Sequence, residues 1–184
     1  MKLLKSINKM FNKSPRFPEM EDEWHSAGIL FTTDNTVFVG YKIVNDNWQI
    51  SGFGGKRNED ETYIQTAIRE TLEELYEAPI TKETIEYVER RLKITKVINN
   101  NGYILVICTL NRINDFILAA LNSVLYTPMY EKLPYTVALL IGERKQLFYA
   151  EFHYLAFLSV NMIISEWPPV EIDPNLISDM KYIK

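Results

Sequence analysis

Gly55 to Glu77 read GKRNEDETYIQTAIRETLEELYE. The spacing predicts a helix over residues 61–77, ended by Pro79. At 100° per residue, Ile64, Ile68, Leu72 and Leu75 fall in a sector about 80° wide, the stripe that faces a core. Glu70, Glu73, Glu74 and Glu77 fall in a sector about 100° wide on the other side, and spacings of three and four make them neighbours. A solvated surface face is the plain alternative, but such a face is normally interleaved with Lys or Arg. Between Arg57 and Lys82 the only cation is Arg69, against Glu59, Asp60, Glu61, Glu70, Glu73, Glu74 and Glu77. Each like-charge pair costs on the order of 0.2–0.5 kcal/mol, and late acids oppose the helix dipole. The cluster therefore calls for a cation from outside the chain. Carboxylate oxygens select hard ions such as Mg²⁺ or Mn²⁺.

Around this helix the rest of the chain reads as a mixed α+β pattern. Ala27–Thr32 and Thr36–Tyr41 alternate as strands about the Asp34-Asn35 turn, and Trp48–Ser51 is a further short strand. Gly52-Phe53-Gly54-Gly55 is a place where the backbone bends or something approaches it closely. Leu92–Ile98 and Tyr103–Thr109 read as a hairpin about Asn99-Asn100-Asn101-Gly102. Beyond it, Ile113–Leu125 has helical spacing, Thr136–Ile141 and Phe152–Val160 read as strands, Trp167-Pro168-Pro169 as a loop, and Met180–Ile183 as a last short strand.

The bulk numbers agree with one folded domain. A chain of 184 residues, 47% hydrophobic and 24% charged, holds one core. Residues 1–18 carry Lys2, Lys5, Lys9, Lys13 and Arg16 and no acid, while the remainder holds 15 basic and 24 acidic residues, a net charge of −9. Broad electrostatic binding of nucleic acid by that acidic body is excluded. Residues 1–22 form a basic N-terminal arm and linker, broken at Ser14-Pro15-Arg16-Phe17-Pro18, and residues 23–184 form the domain. The arm is a loose or self-docked tail, or an amphipathic contact for RNA or an anionic membrane. Its apolar residues make no continuous signal-peptide core, and no run reaches the roughly 18 apolar residues of a membrane span, so a cytoplasmic protein is expected. Cys108, the one cysteine, sits in an apolar strand and reads as a buried thiol; a thiolate zinc cluster is excluded.

Gly55, Glu61 and Arg69-Glu70-Thr71-Leu72-Glu73-Glu74 resemble the Nudix box, G-x5-E-x7-R-E-U-x-E-E-x-G-U, with U a bulky aliphatic. Three positions depart from it: Thr71 and Glu77 replace aliphatics, and Tyr76 replaces the glycine. The resemblance covers 23 residues and implies a Nudix-type α/β/α sandwich with a mixed β-sheet. It implies Mg²⁺-dependent (or Mn²⁺-dependent) hydrolysis of a diphosphate linkage in a nucleoside diphosphate derivative, such as a nucleoside triphosphate. Glu70, Glu73, Glu74 and the Gly54 carbonyl would be metal ligands, Gly55 and Lys56 substrate contacts, and Glu61 and Arg69 a salt-bridged scaffold. A general base in such enzymes often lies outside the box. Glu171 is the first candidate, Glu143 and Glu151 are rivals, and Glu73 or Glu74 could itself serve. His25 and His153 read as structural, and Trp24, Phe53 and Tyr103 as core residues that could otherwise stack on a base. Alternatives are RNA 5′-end or cap hydrolysis, with the arm on phosphates, and a non-catalytic nucleotide sensor. Residues 111–165 are longer than the usual connection of that family at this point and read as an insertion forming a lid, a substrate pocket or a homodimer surface.

Overall fold

In the computed structural model of the chain, residues 23–121, 126–165 and 170–183 are described. The basic arm and the Trp167-Pro168-Pro169 loop lie outside them. The centre of the fold is a parallel pair, β1 (Ser26–Thr32) against β6 (Tyr103–Thr109), in register from Ser26–Tyr103 to Thr32–Thr109. Both strands are apolar at successive positions because both faces are covered. Ala27, Ile29, Phe31, Ile104, Val106 and Cys108 enter one core; Leu30, Leu105 and Ile107 enter a second on the opposite face. Cys108 is buried, and burial pushes its thiol up to about 12.

The other strands extend this pair into a mixed sheet of eight. β5 (Ile94–Asn100) is antiparallel to β6, and Asn101 and Gly102 at positive φ turn the hairpin between them. On its other edge β1 is shared. β4 (Phe53–Lys56) pairs with its first half, from Ser26–Lys56 to Ile29–Phe53, and β2 (Thr36–Val44) joins at Thr32–Val37. β2 then carries β3 (Asn47–Ser51) and β7 (Tyr154–Ser159), and β3 carries the two-residue β8 (Glu171–Ile172).

Helices cover both faces. On one lie α1 (Tyr63–Tyr76), α2 (Lys82–Glu89), α3 (Ile113–Leu121) and α4 (Val137–Gly142). On the other lie α5 (Val160–Ile164) and α6 (Pro174–Asp179), which continues into a 3-10 turn at Met180–Tyr182. This is the expected α+β sandwich with a mixed sheet. None of the described helices is long and apolar enough to cross a membrane.

Three expectations fail locally. Thr136–Ile141 is the capped start of α4, not a strand: the Thr136 hydroxyl accepts from the Leu139 amide. A short apolar run does not itself choose between the two. Met180–Ile183 is no strand because Asp173, accepting from the Asn175 amide, and Pro174 start a helix that runs into it. α1 begins at Tyr63 behind the Thr62 cap and ends at Tyr76, stopped by Glu77 in the left-handed region (φ 48°, ψ 45°) before Pro79 is reached. α2 was not anticipated at all, although Thr81 caps it by accepting from the Thr84 amide.

Candidate functional site

The acids of α1 stand over β4, and glycines on β4 let them come close. A methyl group at Gly55 would collide with the Glu70 carboxylate, so that carboxylate lies directly on the β4 backbone. Gly54 (φ +149°) packs where an added Cβ would meet Gly28 Cα at 2.6 Å. Its amide donates to Glu74 Oε2 at 3.0 Å. Of the two readings of the glycine-rich stretch, the close approach holds: it is a strand, with glycines where backbone meets backbone and carboxylate.

Arg69 organises the near end of the cluster. Its guanidinium donates to Glu61 (2.7 and 3.0 Å), Glu70 (2.7 Å), Glu73 (2.9 Å) and the Lys56 carbonyl (2.8 Å). Burial pushes the Glu61 carboxyl up, but hydrogen bonds from Arg69 and Thr66 outweigh it and hold the group below its ordinary value. Arg69 itself is held charged: burial opposes the charge, and its bonds to Glu61, Glu70 and Glu73 more than offset that. One internal cation therefore serves three acids, which corrects the expectation of a cluster almost without protein counter-charge.

Glu74 is different. Its side chain faces inward from α1, it is only 4% exposed, and it makes no ion pair among the described residues. Its carboxyl is raised well above the ordinary range, first by burial and then by the charge of Glu151; the Gly54 amide and Lys42 act the other way. Glu73 is raised too, by burial above all, with Arg69 opposing. Glu70, Glu73, Glu74 and Glu77 line one open cavity of about 260 Å³ together with Glu151, which arrives from the segment before β7. Glu151 is fixed there by its amide, which donates to Glu77 Oε1 at 2.8 Å, and by Lys42 Nζ at 3.8 Å.

The far end of α1 is held by residues the sequence did not point to. Arg144 is buried, and donates to the carbonyls of Glu74 (2.9 Å), Leu75 (2.6 Å) and Phe152 (2.8 and 3.0 Å) and to the Tyr130 hydroxyl (3.0 Å). It also lies 3.7 Å from Glu77. The Thr127 hydroxyl donates to the Tyr76 carbonyl. These bonds satisfy the last carbonyls of a helix whose own last turn has no base. Part of the stretch 111–165 is therefore the C-terminal cap of the acidic helix. The absence of any base from that last turn was the signal that a cation must come from elsewhere. Tyr76, where the box has glycine, is fully buried against Tyr130 (ring centroids 6.0 Å).

The other anticipated residues divide clearly. Gly54, Gly55, Glu61, Arg69, Glu70, Glu73 and Glu74 come together, with Lys56 exposed at the end of β4. Glu171 is exposed on β8 opposite Gln49 and does not line the acidic cavity; Glu143 caps α4 outside it. Of the three candidates outside the box, only Glu151 joins the cluster. Phe53 is core, stacked on Phe38, and Trp24 carries Arg57 at 4.4 Å. Tyr103 is largely buried beside Gly28, burial raising its phenol. His25 bonds to Ser26, and His153 meets the edge of Trp48.

As placed, no three His, Cys, Asp or Glu side chains among the described residues form a ready-made metal-ligating group. The donor set nevertheless suits a hard divalent cation. It consists of carboxylates alone, it outnumbers its cations Lys42, Arg69 and Arg144, and its most buried member, Glu74, makes no ion pair among the described residues.

The sequence matches no protein-family model, and no curated protein sequence matches it. Solved structures to which the chain is similar include the E. coli ORF135 protein, at 14% identity, 90% of this chain, 91% of that chain and TM-score 0.39. A MutT/nudix family protein from Enterococcus faecalis is similar at 15% identity over 58% of this chain and 42% of that one, with TM-score 0.29. A bifunctional NMN adenylyltransferase/ADP ribose pyrophosphatase from Francisella tularensis is similar at 19% identity over 59% and 31%, with TM-score 0.30. This chain spans less than half the length of the latter two.

Proposed function

We propose that the chain is a Nudix hydrolase that cleaves a diphosphate linkage in a nucleoside diphosphate derivative, using Mg²⁺ or Mn²⁺. The observation that carries this reading is the convergence of Glu70, Glu73, Glu74 and Glu151 on one cavity, with the box spacing from Gly55 to Glu74. Glu70, Glu73 and Glu74 would hold the ion, and the Gly54 carbonyl is a further candidate ligand. A bound divalent ion would neutralise the diphosphate and lower the pKa of a water.

The chain's residues do the rest. Arg69 fixes the directions of Glu70 and Glu73, and with Glu61 ties the loop before α1 to the helix. The Gly54 amide fixes Glu74. A water oxygen bonds to phosphorus as the bridging P–O bond breaks; the electron pair leaves with the departing phosphate, and the water's proton passes to a carboxylate. Glu151 is the best-placed proton acceptor, because it shares the cavity and lies on a different segment from the ligands. Glu171 and Glu143 lie outside it.

Incubating the full chain with a nucleotide panel and Mg²⁺ should release phosphate or pyrophosphate, and EDTA should stop the release. Glu74→Gln should lower turnover by about two orders of magnitude or more with an unchanged circular dichroism spectrum. Full activity in that variant would overturn the ligand assignment.

A further inference from the structure

A second cavity, of about 480 Å³, adjoins the acidic one, with Glu151 in the wall of both. Its size is that of a small-molecule site. Lys42 and Ile43 of β2 line it, together with Phe148, Glu151 and His153. Phe148 is 92% exposed, more than any other large hydrophobic residue among those described. A ring held in water forgoes the roughly 1.5–3 kcal/mol that burying it would contribute.

The segment that carries Phe148 is pinned at both ends. The Lys145 amide donates to the Met129 carbonyl, the Ala150 amide to Leu147, and the His153 amide to Tyr41 on β2. The Gln146 side chain donates to the His153 carbonyl, and the Tyr149 ring stands edge-on to Phe148 at 5.2 Å. Lys42, in the wall of the second cavity, lies 3.8 Å from Glu151, which belongs to both. An apolar ring and a cation in the second cavity thus adjoin, through Glu151, the carboxylate cluster of the first. Those are the partners that an aromatic ring, a phosphate and a metal-bound phosphate of one ligand require.

We propose that this second cavity is the subsite for the aromatic base of a nucleotide, with Phe148 as its stacking platform and Lys42 as the cation for the phosphate next to it. The proposal rests on the hydrolase reading for what lies beyond Lys42, but base binding is measurable without turnover. Stacking on an aromatic side chain changes affinity by about tenfold or more.

The test uses the full chain and two readouts. In calorimetry, AMP, GMP, CMP and UMP should include at least one ligand that binds the wild type at least about tenfold more tightly than ribose 5-phosphate. Phe148→Ala should remove that difference and Phe148→Trp should keep it. In steady-state kinetics on a nucleotide substrate, Phe148→Ala should raise KM about tenfold with kcat changed less than about twofold. Lys42→Gln should weaken nucleoside monophosphates and ribose 5-phosphate alike. Turnover with the same KM in wild type and Phe148→Ala would overturn the base subsite and leave the hydrolase reading standing. Phe148-dependent AMP binding without hydrolysis of any nucleotide would do the reverse. A Phe148→Ala effect on oligomeric state alone, with no effect on nucleotides, would mark the ring as a protein contact and overturn the proposal.

Discussion

Two ionisable groups are buried on opposite sides of the sheet, and they are treated oppositely. Arg144, on the side of α1, has every direction of its guanidinium used: three carbonyls, one hydroxyl and the Glu77 carboxylate nearby. Asp179, at the end of α6, is 4% exposed, and its Oδ1 has no hydrogen-bond partner. The charge of Asp173 adds repulsion, and both acids raise the Tyr103 phenol after its own burial. A buried charge is tolerable when its hydrogen bonds are complete and is neutralised when they are not. The difference also separates sites from misfits. Glu74 is a buried acid among other acids in an open cavity, whereas Asp179 is buried on the helix that brings Leu176 into the apolar core of the other face.

The largest stability effect should come from breaking the satisfied side. Arg144→Met keeps the bulk of the side chain but strands the buried carbonyls of Glu74, Leu75 and Phe152 and leaves Glu77 without its cation. A loss of about 3–5 kcal/mol is expected, read from urea unfolding. A loss under about 1 kcal/mol would mean that those carbonyls find other donors.

The unsatisfied side should respond with the opposite sign. Burial, and then the Asp173 charge, raise the Asp179 carboxyl from 3.8 to about 7. The folded chain therefore keeps a proton that the unfolded chain releases. Stability contributed below about pH 4 declines as the pH rises to about 7, by about 4 kcal/mol at most, and is flat above that. Asp179→Asn should remove this decline and stabilise the protein at pH 8 relative to wild type. Parallel wild-type and Asp179→Asn stabilities from pH 4 to 8 would sink the assignment.

Much of this contrast was illegible in the sequence, for a physical reason. α1 could be read because its signals are local: the apolar stripe and the acid spacing lie within 23 residues, with Pro79 just beyond them. So could the β5–β6 hairpin, whose turn residues lie between its strands. Arg144 donates to a carbonyl 69 positions away and Glu151 to a carboxylate 74 positions away, and no periodicity reports such a contact. Glu171 ranked above Glu151 because Val170-Glu171-Ile172-Asp173 precedes the expected last strand; helix and 3-10 turn stand in that strand's place, and Glu171 lies away from the acids. α6 is another case. Asp173-Pro174 is a helix-start signal that outweighs the apolar pattern of Met180–Ile183 taken for a strand.

The two ends of α1 give the smallest and sharpest comparison. Its first turn is closed by its own sequence: Thr62 Oγ1 accepts from the Gln65 amide at 3.2 Å, and Gln65 Oε1 accepts from the Thr62 amide at 3.2 Å. Thr62 is exposed, so water can replace what its hydroxyl supplied. Thr62→Ala should therefore cost only about 1 kcal/mol, several-fold less than Arg144→Met at the buried end. Both variants are to be compared by urea midpoint at one pH, near 5, where Asp179 is protonated in the folded chain. Equal losses at the two ends would show that the distant cap holds the helix no more tightly than the local one, and Arg144 would lose its place as the group that fixes the end of α1 bearing Glu74.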